Sequence, residues 1–126
     1  MQTTSIKTTG NHYGEWKNAL GFYKDELGIF KKRLTEIVSK NTGHEIMKQV
    51  EHFENQFLLQ GENIDILQHD INVHLNAMAS EVKEHAGHIS SGQLAVDAQL
   101  KDRVESESRV YVELREEFMR FVSAVF

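Results

Sequence analysis

Histidine and carboxylate side chains are concentrated in one stretch, QHDINVHLNAMASEVKEHAGH, which runs from residue 68 to residue 88 and holds four of the seven histidines. Imidazole nitrogens and carboxylate oxygens are ligands that divalent ions such as zinc accept in proteins. On a helix, two such ligands must lie three or four residues apart to share one face, and the others must come from a facing helix. These conditions decide which residues could form a metal site.

Only one group of residues meets both conditions. Glu81 and His85 are four residues apart, His88 follows three residues later, and Asp97 should lie opposite Glu81 on the next predicted helix. The sequence therefore predicts a possible metal-binding or metal-sensing site at this end of the molecule, formed by Glu81, His85, His88 and Asp97. The alternative interpretation is a hydrated helix end, where polar side chains remain in water and therefore cost little folding free energy.

His74 raises a separate question, because it occupies an otherwise apolar repeat. One interpretation is a hydrogen-bonded or partly solvated histidine of the core. The other is a pH-sensitive switch, since the carboxylate of Asp70 lies one helical turn away and could hold the titration of the imidazole near neutral pH.

No constellation in the sequence indicates an enzyme or a bound cofactor. The chain has no cysteine, which excludes disulfides, thiolate zinc sites and cysteine nucleophiles. Its eight glycines occur singly, so no glycine-rich phosphate loop is present. Ser90 and Ser91 are better explained as helix caps than as nucleophiles. We expect a protein without enzymatic activity.

The charge balance argues against several classes of partner. The net charge is −5, whereas a nucleic-acid-binding protein needs a basic face. No segment approaches the ~20 apolar residues of a membrane span, and no basic amphipathic helix suggests binding to a membrane surface. The N-terminal residues lack the apolar region of a signal peptide. We therefore expect a cytoplasmic protein that binds neither nucleic acid nor membrane.

The elements that position these residues follow from the spacing of apolar side chains. In three blocks, apolar residues alternate in steps of three and four, which is the heptad pattern of packed helices and is incompatible with the two-residue period of a strand. The sequence predicts an all-α fold, an elongated antiparallel up-down-up three-helix coiled-coil bundle with a long central helix. A flexible arm over 1–10 would precede a single bundle over 11–126, with helices at about 12–40, 43–86 and 91–126.

Turn signals agree with these boundaries. Asn41 can end the first helix, and Thr42 begins a capping box that ends at Glu45. Gly87 can end the second helix, and the segment 90–93 is a second capping box. Gly61 is the weak point of the central helix, but the heptad pattern keeps its phase there, so a continuous helix is expected.

Folding the chain about these turns predicts which residues meet. Leu27, Phe57 and Phe121 should share one layer, and Gln60 should find a partner in the Tyr23 hydroxyl. The same alignment leaves both ends of the bundle as two-helix hairpins with an open apolar seam.

A second set of apolar residues lies off the main seam at heptad spacing. One interpretation is that broad helix faces bury these residues in the core of a single chain. The other is an association surface, most simply of a two-fold homodimer or else for a helical protein partner, because monomers seldom expose an apolar patch of several hundred Å². The residues are Phe22, Ile29, Leu59, Ile66, Val73, Val112, Met119 and Phe126.

Two stretches, FYKDELGIFKKRL at 22–34 and VEHFENQFLLQ at 50–60, resemble short bacterial coiled-coil proteins to which no activity is assigned. In architecture the chain is similar to a single spectrin-type repeat, with a tryptophan on the first helix. The resemblance implies no activity, and a cytoskeletal role does not follow from shape alone. The apolar stripes themselves predict a non-enzymatic helical interaction or scaffold module that self-associates.

Overall fold

The computed structural model describes the backbone of residues 4–41, 43–84 and 88–126, and the side chains of residues 12–41, 43–84 and 90–126. It contains three long helices, α1 (Ile6–Lys40), α2 (His44–Glu84) and α3 (Ser91–Val125). α1 packs against α2, and α2 packs against α3. The predicted all-α three-helix bundle with a long central helix is confirmed.

The start of the chain differs from the prediction. A two-residue strand β1 (Thr4–Ser5) pairs antiparallel with a two-residue strand β2 (His88–Ile89) in the α2–α3 connection. α1 then begins at Ile6, inside the segment 1–10 that was predicted to be a flexible arm. The threonine-rich composition suggested an arm, but helix propensity is a weak preference that tertiary contacts override.

The heptad positions form the core, as the pattern predicts. The seam residues of α2 from Val50 to Met78 are buried, and those of α3 from Leu100 to Phe121 are buried as well. α2 is continuous through Gly61, which lies in the helix interior with no neighbour that an added methyl group would touch within 4 Å. The expectation of an unbroken central helix is therefore confirmed.

Local hydrogen bonds explain where the helices end. At the end of α1, the backbone N–H and the side-chain amide of Asn41 both donate to the Ile37 carbonyl at 3.0 Å. At the start of α3, the Ser90 hydroxyl accepts from the Gln93 N–H at 3.3 Å, as the capping box predicts. The Glu81 carboxylate of α2 accepts from the Ser90 N–H. Thr42 and Gly87 lie outside the described residues.

The register of the helices differs from the predicted layers. Phe57 packs against Phe30 and Phe118, with ring centroids 5.7 and 5.0 Å apart, where the alignment predicted Leu27 and Phe121. Both of its partners are three residues away from the predicted ones. The prediction failed because a seam of similar apolar residues repeats along each helix, so a slide of about one turn costs the apolar packing little.

Both ends of the bundle are closed within one chain, in contrast to the predicted open seams. Near the α2–α3 connection, Tyr13 is 2% exposed and its hydroxyl lies 2.9 Å from the Met78 sulfur. At the other end, Leu34, Ile37 and Val50 are 0–2% exposed. α1 extends further than predicted and the register is shifted, so the seam residues find partners without a second chain.

Candidate functional site

The off-seam apolar residues form the most unusual surface of the molecule. All eight are exposed in the single chain, with exposed fractions of 40–64%. The structure therefore does not support the interpretation that these residues thicken the core of one chain. They are Phe22 (52%), Ile29 (64%), Leu59 (47%), Ile66 (56%), Val73 (54%), Val112 (40%), Met119 (43%) and Phe126 (56%).

The three residues on α2 lie on the side of that helix that faces α3. Leu59, Ile66 and Val73 are seven residues apart, in line with His52. The His52 Nε2 lies 2.9 Å from Oε1 of Glu117 on α3. Because a step of seven residues returns to the same side of a helix, this stripe runs along the α2–α3 groove.

The other five residues lie where the opposite side of α3 meets α1, two of them on α1 and three on α3 or at its C-terminal end. Arg115 of α3 donates to Oε1 of Glu26 on α1 at 3.0 Å, and Met119 follows Arg115 by one turn. Arg33 and Lys40 of α1 lie over the Phe126 ring, 5.4 and 5.5 Å from its centroid. We name these five residues the α1/α3 face: Phe22, Ile29, Val112, Met119 and Phe126.

Two further exposed valines join the α2 stripe and were missed in the sequence. Val110 (44% exposed) and Ile66 line one groove between α2 and α3, of about 470 Å³. Val96 (39% exposed) and Val73 line a second groove there, of about 350 Å³. The two valines are fourteen residues apart with Arg103 midway, so a search for consecutive heptad positions skipped them. We name this set the α2/α3 face: Leu59, Ile66, Val73, Val96 and Val110.

Two pairs of charged side chains lie along the α2/α3 face. Arg103 donates to Asp70 Oδ2 at 2.9 Å, midway along the face. The pair of His52 with Glu117 lies at one end. Charged groups that are already paired expose less net charge, and depletion of charge is typical of the centre of a protein interface.

A buried polar pair lies beneath this face. The Gln60 side-chain nitrogen donates to Glu107 Oε2 at 2.6 Å, in the amide orientation that satisfies both groups. Gln60 is 4% exposed and Glu107 9%, and burial raises the pKa of the Glu107 carboxyl to about 7. Gln60 was predicted to pair with Tyr23. The Tyr23 hydroxyl instead donates to Ser108 at 3.1 Å, because of the register shift.

A second polar group joins all three helices near the α2–α3 connection. The Tyr13 hydroxyl of α1 donates to Oδ1 of Asp97 on α3, and the His74 Nε2 of α2 lies 3.8 Å from the same oxygen. His74 is 4% exposed, and burial lowers the pKa of its imidazole, partly offset by the Asp97 charge and a hydrogen bond with Gln93. Its expected neighbour Asp70 instead pairs with Arg103.

The residues of the predicted metal site have different surroundings. The Glu81 carboxylate accepts from the Ser90 N–H, and Asp97 accepts from Tyr13. His85 and the His88 side chain lie outside the described residues. Among the side chains that are described, no group of three or more histidine, aspartate or glutamate residues is arranged to hold a metal ion. The metal site at this end stays a prediction.

Comparisons with protein families, with curated proteins and with solved structures each gave no match. The resemblance to bacterial coiled-coil proteins therefore stays a prediction. Within the described part of the chain, no helix is long and apolar enough to cross a membrane.

Proposed function

We propose that the protein is a non-enzymatic helical interaction module that self-associates in the cytoplasm through the apolar stripes on its helices. The observation that carries this proposal is the exposure of all eight off-seam apolar residues. Because both ends of the bundle are closed, the core of the single chain does not need these apolar stripes. An association surface gives these residues a role that packing within the chain does not.

The size of the apolar surface supports the proposal. Exposed to about half of the 150–200 Å² typical of large apolar side chains, the eight residues present roughly 700 Å² in total. This area is divided between the two faces, and each face presents roughly 400 Å² once Val96 and Val110 are included. Monomers rarely expose contiguous apolar patches beyond a few hundred Å². Each partner in a standard protein interface contributes about 800 Å².

The positions of the titratable groups support a function without catalysis. The two groups whose ionisation is shifted toward neutral forms near physiological pH, His74 and Glu107, lie in the core between the helices. A substrate has little access to side chains that are at most 9% exposed. Their hydrogen bonds and packing suit the alignment of helices, which is the role of polar residues in coiled coils.

Sedimentation velocity on the wild-type protein tests the proposal. The chain mass is 14.5 kDa, and we expect a concentration-dependent shift to a species of twice that mass in the micromolar range. A control run at high salt should retain the larger species, because apolar contacts are not screened as charge pairs are. A single species of one chain mass at high micromolar concentration would contradict self-association.

A further inference from the structure

We infer that a second copy of the chain docks on the α2/α3 face, with a two-fold axis beside Ile66. This inference rests on the proposed self-association and adds which of the two apolar faces carries it. The α1/α3 face then stays outside the interface.

One observed contact determines which residues of α2 and α3 lie at the same level along the α2/α3 face. His52 and Glu117 meet across the groove at 2.9 Å. Because α2 and α3 run antiparallel, steps of seven residues along both helices put Leu59 level with Val110. A further step puts Ile66 level with Arg103. The grooves agree, since Ile66, Arg103 and Val110 line the larger one together.

The next step completes a pattern that is symmetric about its middle. Val73 falls level with Val96, and both line the second groove. Apolar residues therefore lie seven positions to either side of Ile66 on α2, and seven positions to either side of Arg103 on α3. A two-fold axis that lies in the interface and crosses the helices at right angles reverses the helix direction. Each apolar end of this face in one copy then lies over the other apolar end in the second copy.

Such self-complementarity is what an isologous interface requires, because the same patch must fit itself. In this arrangement α2 of one copy crosses α2 of the other at Ile66. Leu59 of one copy then lies over Val73 of the other. Arg103 and Asp70, which are 2.9 Å apart in the single chain, meet their images near the axis as a cluster with no net charge.

The area of this face suits a dimer. Its five apolar side chains, 39–56% exposed, present roughly 400 Å² if free side chains of this size expose 150–200 Å². A standard interface takes about 800 Å² from each partner, of which about 60% is apolar. The apolar share is therefore near 480 Å², and polar rim residues such as Asn63 and Gln99 on this face can supply the rest.

The α1/α3 face lacks this symmetry. Its last residue, Phe126, lies under Arg33 and Lys40 at one end of the bundle. In a two-fold dimer through this face, the end where Arg33 and Lys40 cover Phe126 would lie over the opposite end of the face in the other copy. The pattern of this face therefore does not match itself.

Cysteine cross-linking tests the inference directly, because the chain has no native cysteine. Ile66→Cys places two thiols beside the two-fold axis, within the short distance that a disulfide needs. Ile29→Cys is the matched control, since Ile29 is an isoleucine on the α1/α3 face and is more exposed, at 64% against 56%. Under mild oxidation at micromolar concentration, we expect a disulfide-linked dimer from Ile66→Cys and unlinked chains from Ile29→Cys.

A pair of charge variants gives the equilibrium measurement. Ile66→Asp should raise the dimer dissociation constant by about 100-fold or more, because it would bury an unpaired carboxylate. Ile29→Asp should keep the wild-type mass, and circular dichroism should show both variants helical. Loss of the dimer in Ile29→Asp, or linkage of Ile29→Cys as fast as of Ile66→Cys, would overturn the assignment of the face while leaving self-association intact. A wild type that stays a single chain would overturn the proposed function itself.

Discussion

Glu107 shows how a single buried carboxyl group can make the bundle sensitive to pH. Its folded pKa of about 7 lies above the ordinary value of 4.5, because burial disfavours the charged form. The stability that this group contributes is fully present below about pH 4.5 and is lost as the pH rises through 7. A rise of the pKa from 4.5 to about 7 corresponds to about 3 kcal/mol of folding stability.

We predict that Glu107→Gln removes the loss of folding stability that ionisation of Glu107 causes as the pH rises. The glutamine keeps the shape of the side chain and can hydrogen-bond the Gln60 amide, but it does not ionise. Urea unfolding of the wild type should therefore give a falling free energy between pH 5 and pH 7.5, and the variant should lack that component. Glu113→Gln, an exposed position on the same helix, is the control. An unchanged pH profile in Glu107→Gln would contradict the prediction.

His74 changes the folding stability with pH in the direction opposite to Glu107, and it does so at lower pH. Burial lowers the pKa of its imidazole, so the folded protein favours the neutral ring. Its contribution is present above the ordinary pKa of 6.5 and is lost as the pH falls below it. The comparison of wild type with Glu107→Gln isolates the carboxyl, because both proteins contain His74.

At the scale of the helices, the heptad pattern predicted the elements and their buried faces. It did not predict the register, because apolar residues recur along each seam and many alignments bury a similar area. Long-range polar contacts favour one alignment, such as Gln60 with Glu107 and Tyr13 with Asp97. A slide would leave these groups buried without partners, at about 1–3 kcal/mol each. Nothing in a single sequence identifies which distant polar residues will pair.

Tyr13 could have been recognised as a core residue from the sequence. It lies three residues before Trp16 and so continues the heptad seam of α1 by one position. The segment 1–10 was instead interpreted as a flexible arm from its threonine-rich composition, and Tyr13 was placed in the predicted first helix but not in the core. For residues close to the start of a helix, the phase of the apolar pattern was the better guide.

Gly61 offers a test at the scale of one helix. It lies in the interior of α2, has no unusual backbone angle, and an added methyl group would touch nothing within 4 Å. We predict that Gly61→Ala raises the free energy of unfolding by about 0.5–1 kcal/mol, because alanine loses less backbone entropy on folding. The midpoint of urea unfolding measures this. Gly43→Ala, just before α2, lacks a helix-interior position and should show a smaller gain.

At the scale of the whole molecule, folding and association should be linked. A second copy that binds only the folded chain stabilises it by mass action. We therefore predict that the wild-type melting temperature rises with protein concentration. Ile66→Asp, which should not pair, should melt at a temperature independent of concentration. Calorimetry across a hundredfold range of concentration would show this, and parallel behaviour of the two proteins would argue against the link.

The exposed faces were predictable from the sequence only in part. The heptad spacing identified eight apolar residues beyond the seam, but it did not separate them into two faces or include Val96 and Val110. That division depends on which side of α3 meets α1 and which meets α2. The handedness of the bundle sets these neighbours, and no local sequence signal records it.

The pairing of β1 with β2 has a consequence for the order in which the molecule is assembled. Thr4 pairs with Ile89 and Ser5 pairs with His88, so each strand residue of β1 pairs with a residue more than eighty positions later in the chain. Contacts of such wide separation form late, because their loop-closure entropy must be offset by structure that already exists. On the ribosome, β1 and β2 can therefore pair only after residue 89, just beyond the end of α2, has emerged, and this pairing can form before α3 is complete.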